Sequence, residues 1–138
     1  MSLEIGAVEE FGYEVKTHHL ASELEGSEGG TLFPKVYSTG AMVGLMEATC
    51  ARQLARTLAP GEISAGAGLE RVTHTAPTGL GSRVRARAIY RGLEGKLHRW
   101  DVEAFDAHGL IGTCIHRRVV LDAQRFHKKA RERAKAPT

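Results

Sequence analysis

The stretch 38-STGAMVGLMEATCARQLARTLAPGE-62 decides the fold. It reads as one long helix. Ser38 or Thr39 can cap its start, because a hydroxyl oxygen accepts from the first free backbone N–H groups. Pro60 and Gly61 stop it, since proline cannot continue the hydrogen-bond ladder. At ~100° per residue, Met42, Val43, Met46, Cys50, Leu54 and Leu58 fall within an arc of roughly 160°. Arg52, Ala55 and Arg56 face away. Glu47 falls inside the apolar arc, between Leu54 and Leu58. A carboxylate there has to be paired, hydrogen-bonded or protonated, because burying an unpaired charge is costly. That placement marks Glu47 as a candidate functional group, weighed against a buried structural glutamate.

The rest of the chain reads as strands placed around this helix. Phe11, Tyr13, Val15 and Thr17 alternate with Gly12, Glu14 and Lys16, the period of a strand with one apolar face. His18 and His19 follow. On an extended segment they point to opposite faces and make a poor metal pair. Residues 21–32 are polar and glycine-rich and read as a mobile loop, either a lid over a pocket or a plain connection. Gly61 to Gly68 reads as a second glycine-rich turn. Leu69 to Ala76 reads as a strand with Glu70, Val72, His74 and Ala76 on one face. Ser82 to Arg91 sets Val84, Ala86, Ala88 and Tyr90 against Arg83, Arg85, Arg87 and Arg91. Glu94-Gly95 predicts a hairpin turn. Lys96 to Asp106 carries Trp100, Val102 and Ala104 on one face, and Leu110 to Leu121 is a last long strand. Short turns predict an antiparallel meander for these four strands. The fold class is therefore α+β, with one helix buried against one sheet.

The 138 residues suit a single domain. No apolar run approaches the ~18 residues of a membrane span, and the acidic N-terminal region does not resemble a signal peptide. Cys50 and Cys114 lie far apart in apolar patterns, with neither disulfide nor zinc spacing, so a cytoplasmic location and no metal are expected. The net charge of +3 is uneven. Gln124 to Lys135 holds six cations against Glu132 alone. That segment reads as a solvated basic helix rather than an anion site, and without interleaved aromatics it offers no nucleic-acid platform.

Three residue types in the pattern can carry chemistry. Thr39 sits at the helix start, where it caps or where its hydroxyl and the positive helix end hold an oxyanion. Gly40 beside it allows close approach of a ligand to the backbone. His74 stands mid-strand, a satisfied core residue or a proton carrier. A hydroxyl, a carboxylate and an imidazole together are the set that activates a nucleophile or a water. Cys50, one helical turn beyond Glu47, reads as core filler. The phosphate-loop, dinucleotide, zinc-protease and nucleophile-elbow motifs are absent from the sequence.

The run from Phe33 to Glu47, FPKVYSTGAMVGLME, resembles the fluoroacetyl-CoA thioesterase family of hotdog-fold enzymes. So do Val72-Thr73-His74-Thr75-Ala76 and the strand from Gly112 to Val120, so that the resemblance runs from Phe33 to about Lys129. It implies a hotdog fold, an antiparallel sheet wrapped around one long central helix, over residues 1–122, with a basic helical tail over 123–138. It implies hydrolysis of a small acyl-CoA thioester, with Thr39, Glu47 and His74 as the catalytic set and Phe33, Gly40 and Arg118 as substrate-binding residues. The substrate is itself the CoA thioester and no cofactor is implied. A homodimer is implied, with a tetramer as the larger assembly, and His74 is placed across the subunit interface from the other groups. A non-catalytic acyl-CoA-binding protein and a hotdog hydratase or dehydratase are the alternatives. The turn from Ser64 to Gly68 and the glycine-rich loop before Phe33 depart from the family pattern, and both shape the acyl pocket.

Overall fold

A computed structural model describes residues 2–137; the outer ends of the two expected segments, residues 1 and 138, lie outside the described residues. The order of elements is β1 (Val8–Glu14), α1 (Thr39–Ala55), β2 (Glu62–His74), β3 (Arg83–Glu94), β4 (Leu97–Asp106), β5 (Gly109–Asp122) and α2 (Ala123–Arg133). The strands form one antiparallel sheet in the order β1-β3-β4-β5-β2. α1 lies on its inner face. Met42, Leu45, Met46 and Leu54 of the helix meet Val84, Ala86, Ala88, Trp100, Val102 and Ala104 of the sheet in one core. The alternation expected for the third and fourth strands is therefore the observed inward face.

Four expectations are corrected. β2 does not join a four-strand meander. It pairs with β5, from Glu62 opposite Asp122 to His74 opposite Gly112, and only β3-β4-β5 form the meander. Residues 75–82 make the crossing possible: eight extended residues reach up to ~26 Å, while three strand spacings need only ~14 Å. The Gly61 to Gly68 segment is largely strand and not a turn, because β2 begins at Glu62. The helix ends at Ala55, short of Glu62. The Thr57 hydroxyl donates to the Leu54 carbonyl at 2.8 Å and closes the last turn, and the residue before Pro60 resists helical geometry. His18 and His19 do not point apart. They lie in a 3-10 turn with ring centroids 4.0 Å apart, and His19 stacks on Tyr13 at 4.5 Å.

The helix's buried face is also rotated from its expected position. Leu45, Thr49 and Gln53 are buried, and Val43 and Leu58 are only partly so. Thr49 and Gln53 hide from a hydrophobicity pattern because they are polar. Each is satisfied inside: the Thr49 hydroxyl donates to Leu45 O at 2.8 Å, and Gln53 Oε1 accepts from Trp100 Nε1 at 2.7 Å. The rotation moves Glu47 to the margin of the buried face, and its side chain is 38% exposed. It is therefore a carboxylate at the edge of the core and not one enclosed by it.

Candidate active site

The start of α1 separates two adjacent hydroxyls. Ser38 is the N-cap: its backbone is extended and its Oγ accepts from the Ala41 N–H at 2.9 Å. This leaves the hydroxyl of Thr39, the first helical residue, free for another partner. That partner is His74 at the end of β2, with Thr39 Oγ1 2.8 Å from His74 Nδ1 in the same chain. His74 Nε2 is buried and has no hydrogen-bond partner among the described residues. Burial holds the His74 pKa below the usual imidazole value, so the ring is neutral at pH 7.

Thr39 and His74 open onto a cavity of about 580 Å³. Leu24, Phe33, Val36 and Ala76 give it apolar walls, and Gly40 and Ser38 line it at the helix start. The first N–H groups of a helix have no carbonyl one turn back to bond. With the positive end of the helix dipole they suit a carbonyl oxygen gaining charge.

Glu47 stands elsewhere. Eight residues of helix separate it from Thr39, about 12 Å along the axis. No hydrogen bond or ion pair among the described residues joins Glu47 to Thr39 or His74. Its partner is Arg118 on β5, with Nη1 3.6 Å from Glu47 Oε2. Arg118 is nearly buried and anchored twice on β2, with Nε donating to Ser64 Oγ at 2.9 Å and Nη2 to Ser64 O at 3.1 Å. Of the six residues singled out from the sequence, Thr39, His74, Phe33 and Gly40 share the cavity, and Glu47 and Arg118 form a second cluster.

Sequence reading missed the other members of that cluster, His116, Ser64 and Gly66. The signal for His116 was available: Gly112, Cys114, His116 and Arg118 form the inward row of β5, and two ionisable groups on an inward row are out of place. The signal for Gly66 was not, because only the fold brings a helix over it. A Cβ at Gly66 would lie 3.0 Å from Glu47 Oε2 and 3.7 Å from Arg118 Nη1. Backbone alternation is broken here by bulges between Gly66 and Gly68 and between Glu70 and Thr73, where Arg71 takes a φ of 52°. The single expected face of Glu70, Val72 and His74 therefore does not exist as a regular row.

The crowding at Gly66 gives a local test. Gly66→Ala is expected to displace the Glu47 carboxylate, since a half-exposed side chain yields more easily than backbone. With Glu47 in the catalytic role that the resemblance implies, turnover is expected to fall at least ~10-fold, as small misplacements of reacting groups do, with a Tm within ~3 °C of the parent. Unchanged steady-state turnover would show that Glu47 is not held where its chemistry requires it.

Residues 15–124 match the family model described as fluoroacetyl-CoA-specific thioesterase. The fluoroacetyl-CoA thioesterase of Streptantibioticus cattleyicolor is 43% identical over 104 residues, which cover 75% of this chain and 74% of that protein. A solved structure of the fluoroacetyl-CoA thioesterase FlK superposes with a TM-score of 0.89 at 37% identity, covering 99% of this chain and 100% of the other. A mutant of FlK in complex with fluoroacetate and CoA superposes with a TM-score of 0.83 at 36% identity, over 90% of this chain and 99% of the other. A thioesterase superfamily member from Thermus thermophilus superposes with a TM-score of 0.81 at 28% identity, over 95% of this chain and 93% of that one.

Proposed function

This chain belongs to the fluoroacetyl-CoA-specific thioesterase family and has its hotdog fold, and from that membership we infer that it hydrolyses a small acyl-CoA thioester to the free acid and CoA. The observation that carries a mechanism is the Thr39–His74 hydrogen bond at the mouth of an apolar cavity. The Thr39 hydroxyl and the first N–H groups of α1 hold the thioester carbonyl and its oxyanion. Glu47 delivers the attack, directly or through a water molecule, and His74 passes a proton to the leaving CoA thiolate. Phe33 and Gly40 line the acyl end, and Arg118 fixes Glu47. The balance is one thioester and one water consumed, one acid and one thiol released.

This scheme needs Glu47 near Thr39 and His74, and a homodimer across the free edge of β2 supplies that. β2 is an edge strand with an unpaired side, and Leu69 and Val72 are exposed on it. In a two-fold antiparallel pairing of two copies centred near Glu70, residues equally distant from the centre face each other. His74 of one copy then lies opposite Gly66 of the other, which is the strand position beneath Glu47. Each site would combine Thr39 and His74 of one chain with Glu47 and Arg118 of its partner. A reducing cytoplasmic setting fits the two buried free cysteines. Among the described residues no helix is long and apolar enough to cross a membrane.

The activity is tested by thiol release over a panel of short, branched, halogenated and aryl acyl-CoAs. At least one member is expected to turn over with a kcat/KM of ~10⁴ M⁻¹s⁻¹ or more, within the ordinary enzyme range. Binding of acyl-CoAs without release of thiol from any of them would contradict the reading.

A further inference from the structure

His116 is an ionisable group in the interior, 1% exposed on the inner face of β5, with its ring stacked 6.4 Å from that of Trp100. Both ring nitrogens are engaged. Nδ1 lies 2.9 Å from the Gly68 carbonyl oxygen of β2, and Nε2 lies 3.1 Å from Arg118 Nη1. A carbonyl oxygen only accepts and a guanidinium only donates. The two contacts are satisfied together by one state alone, the neutral ring with its hydrogen on Nδ1 and its lone pair on Nε2. The same Nη1 is the Arg118 atom that faces Glu47 Oε2 at 3.6 Å. The rest of the guanidinium is tied to Ser64. The plane of Arg118 is thus set from one side by Ser64 and from the other by His116, leaving Nη1 directed at Glu47.

We propose that His116 is a positioning residue, whose neutral Nδ1–H imidazole holds Arg118 Nη1 against Glu47 and releases it on protonation. The proposal rests on Glu47 being the attacking carboxylate. A proton on Nε2 would set an N–H against an N–H and two cations in contact in a buried site. The charged groups facing the ring are Arg118 from β5 itself and Glu47 from α1. β2 presents the Gly68 carbonyl, and β4 presents Trp100 with His98 beyond it. The thiols of Cys50 on α1 and Cys114 on β5 share this interior and are pushed up by burial, so they stay neutral. Burial is the largest influence on His116 and, with Arg118, outweighs the raising effects of Gly68 and Glu47, so its pKa is lowered. The positioning state is therefore present at neutral pH and is lost as pH falls through that lowered value, below the usual imidazole range near ~6.5.

The test compares His116→Leu, His116→Gln and Glu47→Gln in the full chain, with the best acyl-CoA of the panel. His116→Leu removes the acceptor and is expected to lower kcat by ~10- to 100-fold, the effect of a misplaced reacting group, with KM within about twofold. The amide oxygen of His116→Gln can accept from Arg118 but cannot titrate. That variant is expected to recover at least about a third of the parental kcat at pH 8 and to show a shallower acid limb than the parent, with one titrating group removed. A His116→Leu enzyme with kcat within twofold of the parent would overturn the proposal, as would an acid limb of His116→Gln that superposes on the parental one. If His116→Leu fails to fold, the His116→Gln profile decides alone. Full activity of Glu47→Gln would instead bring down the underlying assignment, and a dead Glu47→Gln beside an unaffected His116→Leu would remove this proposal only.

Discussion

Glu47→Gln is expected to lower turnover by ~10³-fold or more, and mixing it with His74→Ala is expected to restore activity that neither variant has alone. The first loss follows from chemistry, because an amide neither attacks a thioester nor takes a proton from water. The recovery follows from topology. In one chain Thr39 and His74 share a cavity while Glu47 lies about 12 Å along the helix, beside Arg118. In the dimer proposed across β2, each site takes Glu47 from one chain and His74 from the other. A mixed dimer then holds one site with both lesions and one site with neither. Random mixing makes half of the dimers mixed, so about a quarter of parental activity should return. Co-expression with two affinity tags, followed by thiol-release assay of the doubly tagged dimer, measures it; that purified species should show about half of parental activity. No recovery would mean that Glu47 and His74 serve the same site within one chain.

Gly112→Ala is expected to cost the most stability of any single methyl addition in the sheet next to the site. Gly112 lies opposite His74 in the β2–β5 ladder. A Cβ there would fall well inside the van der Waals contact distance of the Thr73 carbonyl oxygen, and within 2.7 Å of Met42 Sδ on the helix. Met42 can adjust, but a ladder carbonyl cannot move without moving its strand. Overpacking of this kind costs about 2–3 kcal/mol, or roughly 10 °C in Tm for a chain of this size. Because β2 would have to shift next to His74, turnover should fall as well. A thermal melt within ~3 °C of the parent would contradict the close approach of the Thr73 carbonyl of β2 to Gly112 of β5.

The fold was largely legible in the residues themselves. Alternation along Val84, Ala86, Ala88 and Tyr90, and along Trp100, Val102 and Ala104, states which faces are buried, because a strand's side chains alternate whatever their neighbours. The serine and proline around the helix mark it for local reasons, a capping hydroxyl and a missing donor, although the helix ends earlier than proline requires. The place of β2 was not legible. Pairing with β5 depends on a crossing segment whose length permits several partners, and composition disguised Ser64 to Gly68 as a turn. Small residues there serve a contact between a helix and a strand, which no local window contains.

The candidate site divides along the same line. Glu47 drew notice as a charge among apolar residues, and Thr39 as a hydroxyl at a helix start. Which of Ser38 and Thr39 caps, and which is free for His74, is settled only by the geometry of the cap. His116 could be noticed on the inward row of β5, but what it does became visible only once β5 was laid against β2 and both of its nitrogens met partners. By itself the sequence determined the central helix and the amphipathic strands, since these rest on periodicity and on side-chain chemistry that travel with the residues, while its resemblance to a known family gave the fold and the candidate set of Thr39, Glu47 and His74. Tertiary structure alone decided the order of the strands, the separation of Thr39–His74 from Glu47–Arg118, and the tie from His116 to Arg118. The strand order, the Thr39–His74 bond and the Glu47–Arg118 pair join residues tens of positions apart, while His116 and Arg118, two apart on β5, are fixed in contact by what β2 packs against them; all are made by packing and not by any local preference.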